Sequence, residues 1–383
     1  MYTVGIITTF RQPNFGSVLQ AFALQYIIKK MGYDVKVIDY KYPNEYHWDA
    51  GLRLGCRKIT LRNRLGNIKR KIQLYLGLRK PTKMEMLNKY IKEEMQCTIF
   101  YPSKKSILKN PPIFDIYVSG SDQIWNPNTM FGDMTYMFDF APLNRKKIAY
   151  SSSFSCDRIP QKYLMGYKTY LKHFEAIGVR EKNGVKLLRE TFGRNDSKLV
   201  LDPTLLLTKE EWHIYAQKTQ KLSLPPKFIL FYMLAYTYSP EEKMKDLLSF
   251  VQKKYNMPIV SLSKKPQGFL GDFIQIEDSC AVGNYEFLHL FEKAEIVVTS
   301  SFHGTAYALN FGKPLLALEN GKSKSDDRIS SLLNSVDLST QLIFTDTELS
   351  DVITPYYNVE DEQRKIDVLR NESLSFLNSS LKD

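Results

Sequence analysis

The stretch VVTSSFHGTA at residues 297–306 passes from an apolar run into small hydroxyl residues, a histidine and a glycine. The apolar run predicts a buried β-strand over 296–299, and the residues after it predict a helix over 304–311 that Gly312 ends. A further apolar run predicts a strand over 314–318. A strand, a helix and a second strand in direct succession are typical of α/β proteins with parallel sheets.

The same alternation extends over most of the chain in two blocks. A polar segment at 208–227, which contains Pro225-Pro226, separates them. The pattern predicts an α/β protein with two Rossmann-like domains that face a cleft, a GT-B-like arrangement. The predicted strands lie at 3–8, 35–39, 113–119, 147–151, 176–179 and 198–201 in the first block, and at 228–234, 259–262, 296–299 and 314–318 in the second.

Three segments follow from this division of the chain. We expect an N-terminal Rossmann-like domain at residues 1–220, with a basic insertion at about 50–105. A C-terminal Rossmann-like domain is expected at 226–355. Residues 356–383 predict a polar amphipathic helix that packs back on the N-terminal domain.

The composition of the 383 residues is that of a soluble globular protein, with 43% hydrophobic and 25% charged residues. No apolar run approaches the ~20 residues of a membrane span, and the N-terminus lacks the basic start and long apolar run of a signal peptide. The four cysteines stand too far apart in sequence for a zinc knuckle or a redox pair. We therefore expect a cytoplasmic protein with reduced thiols.

Much of the formal net charge of +12 comes from one basic segment. Residues 50–84 hold eleven Lys and Arg and no Asp or Glu. Leu61, Leu65, Ile68 and Ile72 fall on one face of a predicted helix. Such a helix suits an anionic membrane surface, here through 53–83 at the inner face of the cytoplasmic membrane. The alternative is a solvated helix whose apolar stripe packs on the domain. Nucleic acid is not expected, because no recognition motif accompanies the charge.

Ligands of such folds bind at the carboxyl ends of the parallel strands, so the loops after strands hold the candidate site. After the strand at 296–299, the free N–H groups and dipole of the next helix favour an anion. Gly304 would let a ligand approach the backbone, and a protonated His303 would add charge and a transferable proton. The alternative is a plain N-cap at Ser300 or Ser301 beside a core histidine.

Two further loops place polar side chains at strand ends. Arg180 can hold a carboxylate or phosphate through two parallel hydrogen bonds, with Glu181 to orient it. The alternative for this pair is a surface salt bridge. In GSDQIWN at 120–126, Asp122, Gln123 and Trp125 offer a carboxylate, an amide and an aromatic face, a combination that suits a sugar. The alternative is a turn that caps a helix.

The remaining loops are less distinctive. NFGS at 14–17 lacks the G-x-G-x-x-G pattern of NAD sites, and Asn14 there either meets a hydroxyl or phosphate or simply begins a helix. Asp202-Pro203-Thr204 is interpreted as a structural turn. The chain has no P-loop, no H-E-x-x-H and no G-x-S-x-G, and its other histidines fit no ligand pattern. Neither a metal nor a cofactor is expected.

Five motifs in order resemble the polysaccharide pyruvyl transferase family, over residues 5 to about 333. They are NFGS with LQAFALQ at 14–25, GSDQIWN at 120–126, VREK at 179–182, LDPT at 201–204, and SFHGTA with GKP at 301–314. The resemblance implies a GT-B-like fold and phosphoenolpyruvate as co-substrate. It also implies a sugar acceptor with two hydroxyls, and a cyclic pyruvate ketal and phosphate as products.

The resemblance also implies roles for single residues. Arg180 and His303 would serve donor binding and catalysis. Some family members carry acidic residues in the loop after the first strand, whereas this chain has Asn14 and Ser17 there. The general base is therefore open, with Asp122 as first candidate, Glu181 as second and Glu319 as third. The expected donor-binding residues are Arg180, Ser301, His303, Gly304, Thr305 and Glu319, and the acceptor-binding residues are Asn14, Gly16, Ser17, Asp122, Gln123 and Trp125.

Such acceptors are often built on a polyprenyl-diphosphate carrier of capsule or exopolysaccharide synthesis. Two other interpretations compete with this one. A GT-B glycosyltransferase would hold the diphosphate of a nucleotide sugar at the same helix. A catalytically idle family member would act as a binding subunit, although the presence of both Arg180 and His303 argues against it.

Overall fold

Two parallel six-stranded β-sheets form the framework of the computed structural model, which describes residues 1–41, 61–220, 222–234, 238–321 and 325–382. The predicted α/β class with two Rossmann-like units is confirmed. The first sheet contains β1 (Thr3–Ile7), β2 (Asp34–Val37), β3 (Ile116–Ser119), β4 (Lys146–Ser152), β5 (Ala176–Val179) and β6 (Lys198–Leu199). The second contains β7 (Ile229–Tyr232), β8 (Ile259–Ser261), β9 (Phe273–Gln275), β10 (Ile296–Thr299), β11 (Leu315–Glu319) and β12 (Leu342–Phe344).

Helices connect the strands, as parallel pairing requires. In the described ranges they are α1 (Phe15–Lys30), α2 (Leu61–Tyr75), α3 (Lys83–Glu94), α4 (Lys104–Lys109), α5 (Pro127–Met130), α6 (Gln161–Leu171), α7 (Lys182–Phe192), α8 (Lys209–Ala216), α9 (Glu241–Tyr255), α10 (Ile276–Ser279), α11 (Asn284–Lys293), α12 (Phe302–Asn310), α13 (Arg328–Ser335) and α14 (Val359–Leu381).

The central strands are buried along their whole length, which explains their continuous apolar runs. Sequence analysis did not identify β9 and β12, which have three residues each and lie at the two edges of the second sheet. It also did not identify α8 in the segment assigned as a linker. That helix begins at a capping box in which Thr208 and Glu211 satisfy each other's backbone N–H groups.

The strand order places one switch point in each sheet. The orders are β2-β1-β3-β4-β5-β6 and β12-β11-β10-β7-β8-β9, so the connections change direction between β1 and β3 and between β7 and β10. Ligands of open α/β sheets bind outside the carboxyl ends at such points. One hydrophobic cluster contains residues of both sheets, including Val118 and Val297, and joins the two halves.

The last helix, α14, contacts both halves. The Ser373 hydroxyl accepts a hydrogen bond from Leu201 N at 3.0 Å, and Arg370 Nε donates to Leu205 O at 2.7 Å. On its other side α14 contacts α12 of the C-terminal half. The helix therefore spans the junction between the two domains.

The basic segment forms the predicted helix, α2. Ile68 is 54% exposed and Ile72 is 52% exposed, so these two apolar side chains do not pack on the domain as one interpretation expected. Residues 42–60 and the side chains of Leu61 and Leu65 lie outside the described residues. No described helix has the length and apolar character needed to cross a membrane.

Candidate functional site

His303 lies in the first turn of α12, directly after the switch-point strand β10. Ser301 is the N-cap, and its hydroxyl accepts a hydrogen bond from Gly304 N at 3.2 Å. Gly304 has a packing role in this structure: a Cβ there would stand 2.3 Å from Thr299 Oγ1, so the glycine lets the helix pack on its own strand. Thr305 is fully buried and donates to Ser301 O, which leaves it no access to a donor in this structure.

The two domains meet at His303. A Cβ added to Gly16 would stand 2.2 Å from His303 Cγ and 2.3 Å from its Nδ1. The start of α1 therefore touches the imidazole face, and only glycine permits that approach. Asn14 caps α1 by accepting from Gly16 N and Ser17 N, which is the helix-entry alternative. Gly16 contributes to the site by bringing the N-terminal domain against the histidine.

Arg180 is completely enclosed, with 0% of its side chain exposed. Its guanidinium donates to Asp202 at 2.9 Å, approaches Asp122 at 3.4 Å and lies 4.4 Å over the ring of Phe302. Among the described residues its Nε has no hydrogen-bond partner. Arg180 therefore joins motifs from both domains, and the surface salt-bridge alternative does not hold.

Asp202 belongs to the site, contrary to the interpretation of its motif as a structural turn. Its Oδ2 accepts from Ser121 Oγ at 2.6 Å and lies 3.8 Å from His303 Nε2. Burial opposes its ionisation, but His303 when protonated, Arg180, and the hydrogen bonds from Ser121 and Thr204 N lower the pKa of Asp202. Arg180, Asp122 and Asp202 thus form a buried cluster with one positive and two negative charges.

His303 is 5% exposed, and its Nε2 has no hydrogen-bond partner in the described part of the chain. Burial lowers the pKa of His303 below its ordinary value of 6.5, although the nearby carboxylates of Asp202 and Asp122 act in the opposite direction. Burial therefore favours the neutral imidazole. An anion bound beside Nε2 would favour the protonated form.

Asp122 is held in place from several sides. Its backbone has a φ of 76°, a left-handed conformation that few non-glycine residues adopt. Its carboxylate accepts from Ser17 Oγ at 2.6 Å, from Thr9 Oγ1 at 3.2 Å and from Gln123 N at 2.8 Å. Burial opposes ionisation, but Arg180 and these donors hold the pKa of Asp122 well below its usual range. Such a carboxylate is a weak base, which disfavours the first candidate.

Two residues of the loop at 120–126, Gln123 and Trp125, have different surroundings from those expected. Trp125 is fully buried and packs against Phe154 and Phe174, so it offers no face for a sugar and that expectation was wrong. Gln123 points across the cleft. In its hydrogen-bonding orientation its amide oxygen accepts from both terminal nitrogens of Arg328 at 2.9 Å.

A cavity of about 120 Å³ opens at the carboxyl ends of β7, β10 and β11. Glu319 and Arg328 both line it. Glu319 was the third candidate for the general base, and Arg328 was not among the predicted site residues. Burial raises the pKa of Glu319 to about 7. Arg328 is paired with Asp326 through Nε and Nη2, both at 2.7 Å. The lining residues are Leu234, Tyr238, Ser300, Phe302, Glu319, Asn320, Ser325, Asp326, Arg328 and Ile329.

Beside this cavity, the C-terminal domain caps a helix of the N-terminal domain. Asp327 Oδ2 accepts from Asn183 N at 3.1 Å, and Ser331 Oγ accepts from Lys182 N at 3.1 Å. These N–H groups begin α7, directly after Arg180 and Glu181. Glu181 itself is fully buried and its Oε1 accepts from Phe154 N at 2.8 Å. Burial raises its pKa to about 7.

Among the described residues, no cluster of His, Cys, Asp and Glu has the arrangement of a metal site. The three described cysteines, Cys97, Cys156 and Cys280, form no disulfide bond with one another.

Comparison with known proteins gives a family and a fold. The model of the family described as polysaccharide pyruvyl transferase matches residues 14–322. No curated protein is significantly similar in sequence. A putative UDP-N-acetylglucosamine 2-epimerase from Listeria monocytogenes and the MnaA protein of S. aureus with UDP each superpose with a TM-score of 0.51 at 12% identity, covering 99% of this chain and 91% of theirs. The UDP-GlcNAc 2-epimerase of Methanocaldococcus jannaschii gives a TM-score of 0.47 at 14% identity, covering 97% of this chain and 93% of that one.

Proposed function

The chain belongs to the polysaccharide pyruvyl transferase family, and we propose that it transfers pyruvate from phosphoenolpyruvate to two hydroxyls of a sugar in a surface-polysaccharide precursor. The products are a cyclic ketal and phosphate. One observation carries the proposal beyond the family: a buried histidine, whose Nε2 has no hydrogen-bond partner among the described residues, lies 3.8 Å from Asp202 at the contact between the domains. That arrangement suits a histidine that takes up a proton when an anion binds and then donates that proton.

The chemistry requires a proton at C3 of phosphoenolpyruvate. Protonated His303 delivers it, and the positive character that develops at C2 draws in a sugar hydroxyl. The C2–O bond to phosphate then breaks, phosphate leaves with the electron pair, and the second hydroxyl closes the ring. Of the two hydroxyl protons, one replaces the proton given by His303 and the other leaves on phosphate, so the reaction needs no cofactor.

Arg180 supports this step by binding Asp122 and Asp202 through its guanidinium, which is closed off from solvent. The two carboxylates surround the imidazole and stabilise its protonated form. Because the guanidinium is enclosed, we propose that it acts through His303 and does not hold the donor by itself in this conformation.

The test is to incubate the protein with phosphoenolpyruvate and a panel of 4-nitrophenyl and lipid-linked hexosides. The expected result is a hexoside with the mass of one added pyruvate ketal and an equal amount of phosphate. His303→Gln and Arg180→Ala are expected to lose most turnover while keeping the wild-type far-UV circular dichroism. Release of nucleotide from a nucleotide sugar, with no phosphate from phosphoenolpyruvate, would instead identify a glycosyltransferase.

We further propose that α2 holds the enzyme at an anionic membrane, where a polyprenyl-linked acceptor resides. The exposed Ile68 and Ile72 lie on a helix with several Lys and Arg, and each basic residue near such a surface contributes about 1 kcal/mol. In vesicle flotation, Ile68→Asp/Ile72→Asp is expected to reduce binding to phosphatidylglycerol vesicles at low salt. Val368→Asp, on the 58% exposed Val368 of α14, is the matched control. Absence of wild-type binding to these vesicles would refute the proposal.

A further inference from the structure

The cavity that Glu319 and Arg328 line has the features of a substrate subsite. It lies at the switch point of the second sheet, where Ser300 follows β10 and Leu234 follows β7. Its volume of about 120 Å³ is well above the ~10–15 Å³ that one water molecule needs. Phe302, which precedes His303 in the chain, forms part of its wall. A ligand in the cavity is therefore adjacent to the loop that holds the histidine.

We propose that this cavity binds the acceptor sugar and that Glu319 removes the proton from the attacking hydroxyl. The proposal rests on the proposed function and names the acceptor subsite and the general base within it. It places the acceptor against the C-terminal domain, whereas sequence analysis expected the acceptor on the loops of the N-terminal domain.

The N-terminal loops offer few groups to a sugar. Trp125 is buried in the core, and the Ser17 hydroxyl donates to Asp122. Asn14 caps α1. Gln123 remains, and its amide meets Arg328 at the edge of the cavity. The amide of Gln123 is thus directed across the cleft, towards the C-terminal cavity.

The other carboxylates near His303 are unsuited to accept a proton from a hydroxyl. Asp122 is saturated by the donors described above. Asp202 is 1% exposed and is bound by Arg180 and Ser121. Glu181 is fully buried and is not among the residues that line the cavity, and its Oε1 is bound by the backbone N–H groups of Phe154 and Ser155. Glu319 differs from these three because it lines the cavity, where Ser330 binds it through its side chain and through its backbone N–H, the latter at 3.4 Å from Oε1.

The acid–base properties of Glu319 agree with this role. Burial raises its pKa to about 7, and the nearby carboxylates of Asp326 and Asp327 act in the same direction. A general base works best when its pKa lies near the operating pH, because it is then both deprotonated in a large fraction of molecules and a strong acceptor. A carboxylate with its ordinary value of 4.5 would accept the proton less readily.

The charged groups in the described part of the lining favour a neutral ligand. The positive charge of Arg328 is balanced by its close partner Asp326. Deprotonated Glu319 adds a negative charge, so these groups would repel a nearly trianionic donor. The lining also combines apolar residues, such as Ile329, with hydroxyl and amide groups, such as Ser300. Polar groups beside apolar surface suit the diol edge of a pyranose.

The proton balance is complete with these residues. As the bond from the hydroxyl oxygen to C2 forms, the hydroxyl proton moves to Glu319, and the proton of His303 moves to C3. Phosphate then leaves, and the proton of the second hydroxyl leaves on it. The proton on Glu319 returns to His303 through solvent, which restores both groups for the next turnover.

The experiment compares Glu319→Gln and Glu319→Asp with wild type in the hexoside assay, at pH 5.5 to 9. Glu362→Gln is the matched control, since Glu362 is also buried with a pKa of about 7 but lies on α14. We expect Glu319→Gln to lower kcat at least about 10²-fold, the usual scale for a general base. The remaining activity of Glu319→Gln should no longer fall as the pH is lowered through about 7. Affinity for phosphoenolpyruvate and the melting temperature should stay close to wild type, and Glu319→Asp should keep part of the rate.

The outcomes separate the two proposals. If the wild-type protein is active and Glu319→Gln has the same kcat and pH profile, the assignment of Glu319 is overturned. The proposed function then stays intact. A Glu319→Gln variant that loses phosphoenolpyruvate affinity but keeps kcat would show the cavity to be the donor subsite, which also overturns it. A wild-type protein that transfers no pyruvate to any hexoside would overturn the proposed function and this assignment with it.

Discussion

Gly16→Ala tests the contact on which the site depends. The added Cβ would stand 2.2 Å from His303 Cγ, whereas ordinary van der Waals contact begins at 3.4 Å, so the two groups must separate by about 1.2 Å. The obstacle is a buried imidazole on α12 and not the end of a flexible side chain. Separation therefore displaces either His303 or the start of α1, which carries Ser17.

A displacement of that size has a predictable cost. A misplacement of 1 Å at a reacting group lowers the rate by about 10²-fold, and overpacking of a core costs about 1–3 kcal/mol. We expect kcat/KM for phosphoenolpyruvate to fall about 10²-fold in the phosphate-release assay, with a melting transition that remains cooperative. Gly66→Ala is the control, because none of the described atoms lies within 4 Å of a Cβ at Gly66 in α2. Wild-type kinetics in Gly16→Ala would refute the reasoning that this glycine sets the approach of the domains.

Three further predictions concern charge and packing. Because burial lowers the pKa of His303, binding of phosphoenolpyruvate at pH 7.5 should take up a proton, measured by calorimetry in two buffers of different ionisation enthalpy; zero uptake would contradict a neutral resting imidazole. Asp202→Asn removes a carboxylate that favours the imidazolium, so the His303 NMR titration should shift to lower pH; no shift would mean that the 3.8 Å contact has little electrostatic effect. Trp125→Phe should lower the free energy of unfolding by about 1–3 kcal/mol and leave the acceptor KM unchanged, whereas a raised KM would restore the stacking role.

The fold could be predicted from the sequence because most inner strands are short and mainly apolar, and several are followed by a recognisable helix start. The same pattern located His303 and Arg180, since both stand directly after a strand in positions that topology brings to the cleft. The edge strands β9 and β12 lacked this signal because their side chains are only partly buried.

The surroundings of individual side chains could not be predicted in the same way. Asp202 precedes a proline and resembles a turn residue, and only the pairing of β5 with β6 brings it to Arg180. Trp125 has the same local sequence whether it faces a ligand or the core. Arg328 lacked any local signal beyond one basic residue at the start of a helix, and its partner Gln123 is more than 200 residues away in sequence.

The capping of α7 by Asp327 and Ser331 has a consequence for how the protein matures on the ribosome. The N-terminal domain, with Arg180 at its strand end, is synthesised before the segment that satisfies the first N–H groups of α7. Until residues 325–331 emerge, the turn that presents Arg180 lacks its caps, and His303 has not joined the cluster. The complete site therefore forms only after both halves have been synthesised. A chain truncated before residue 303 would contain the first sheet but would lack both His303 and the caps of α7.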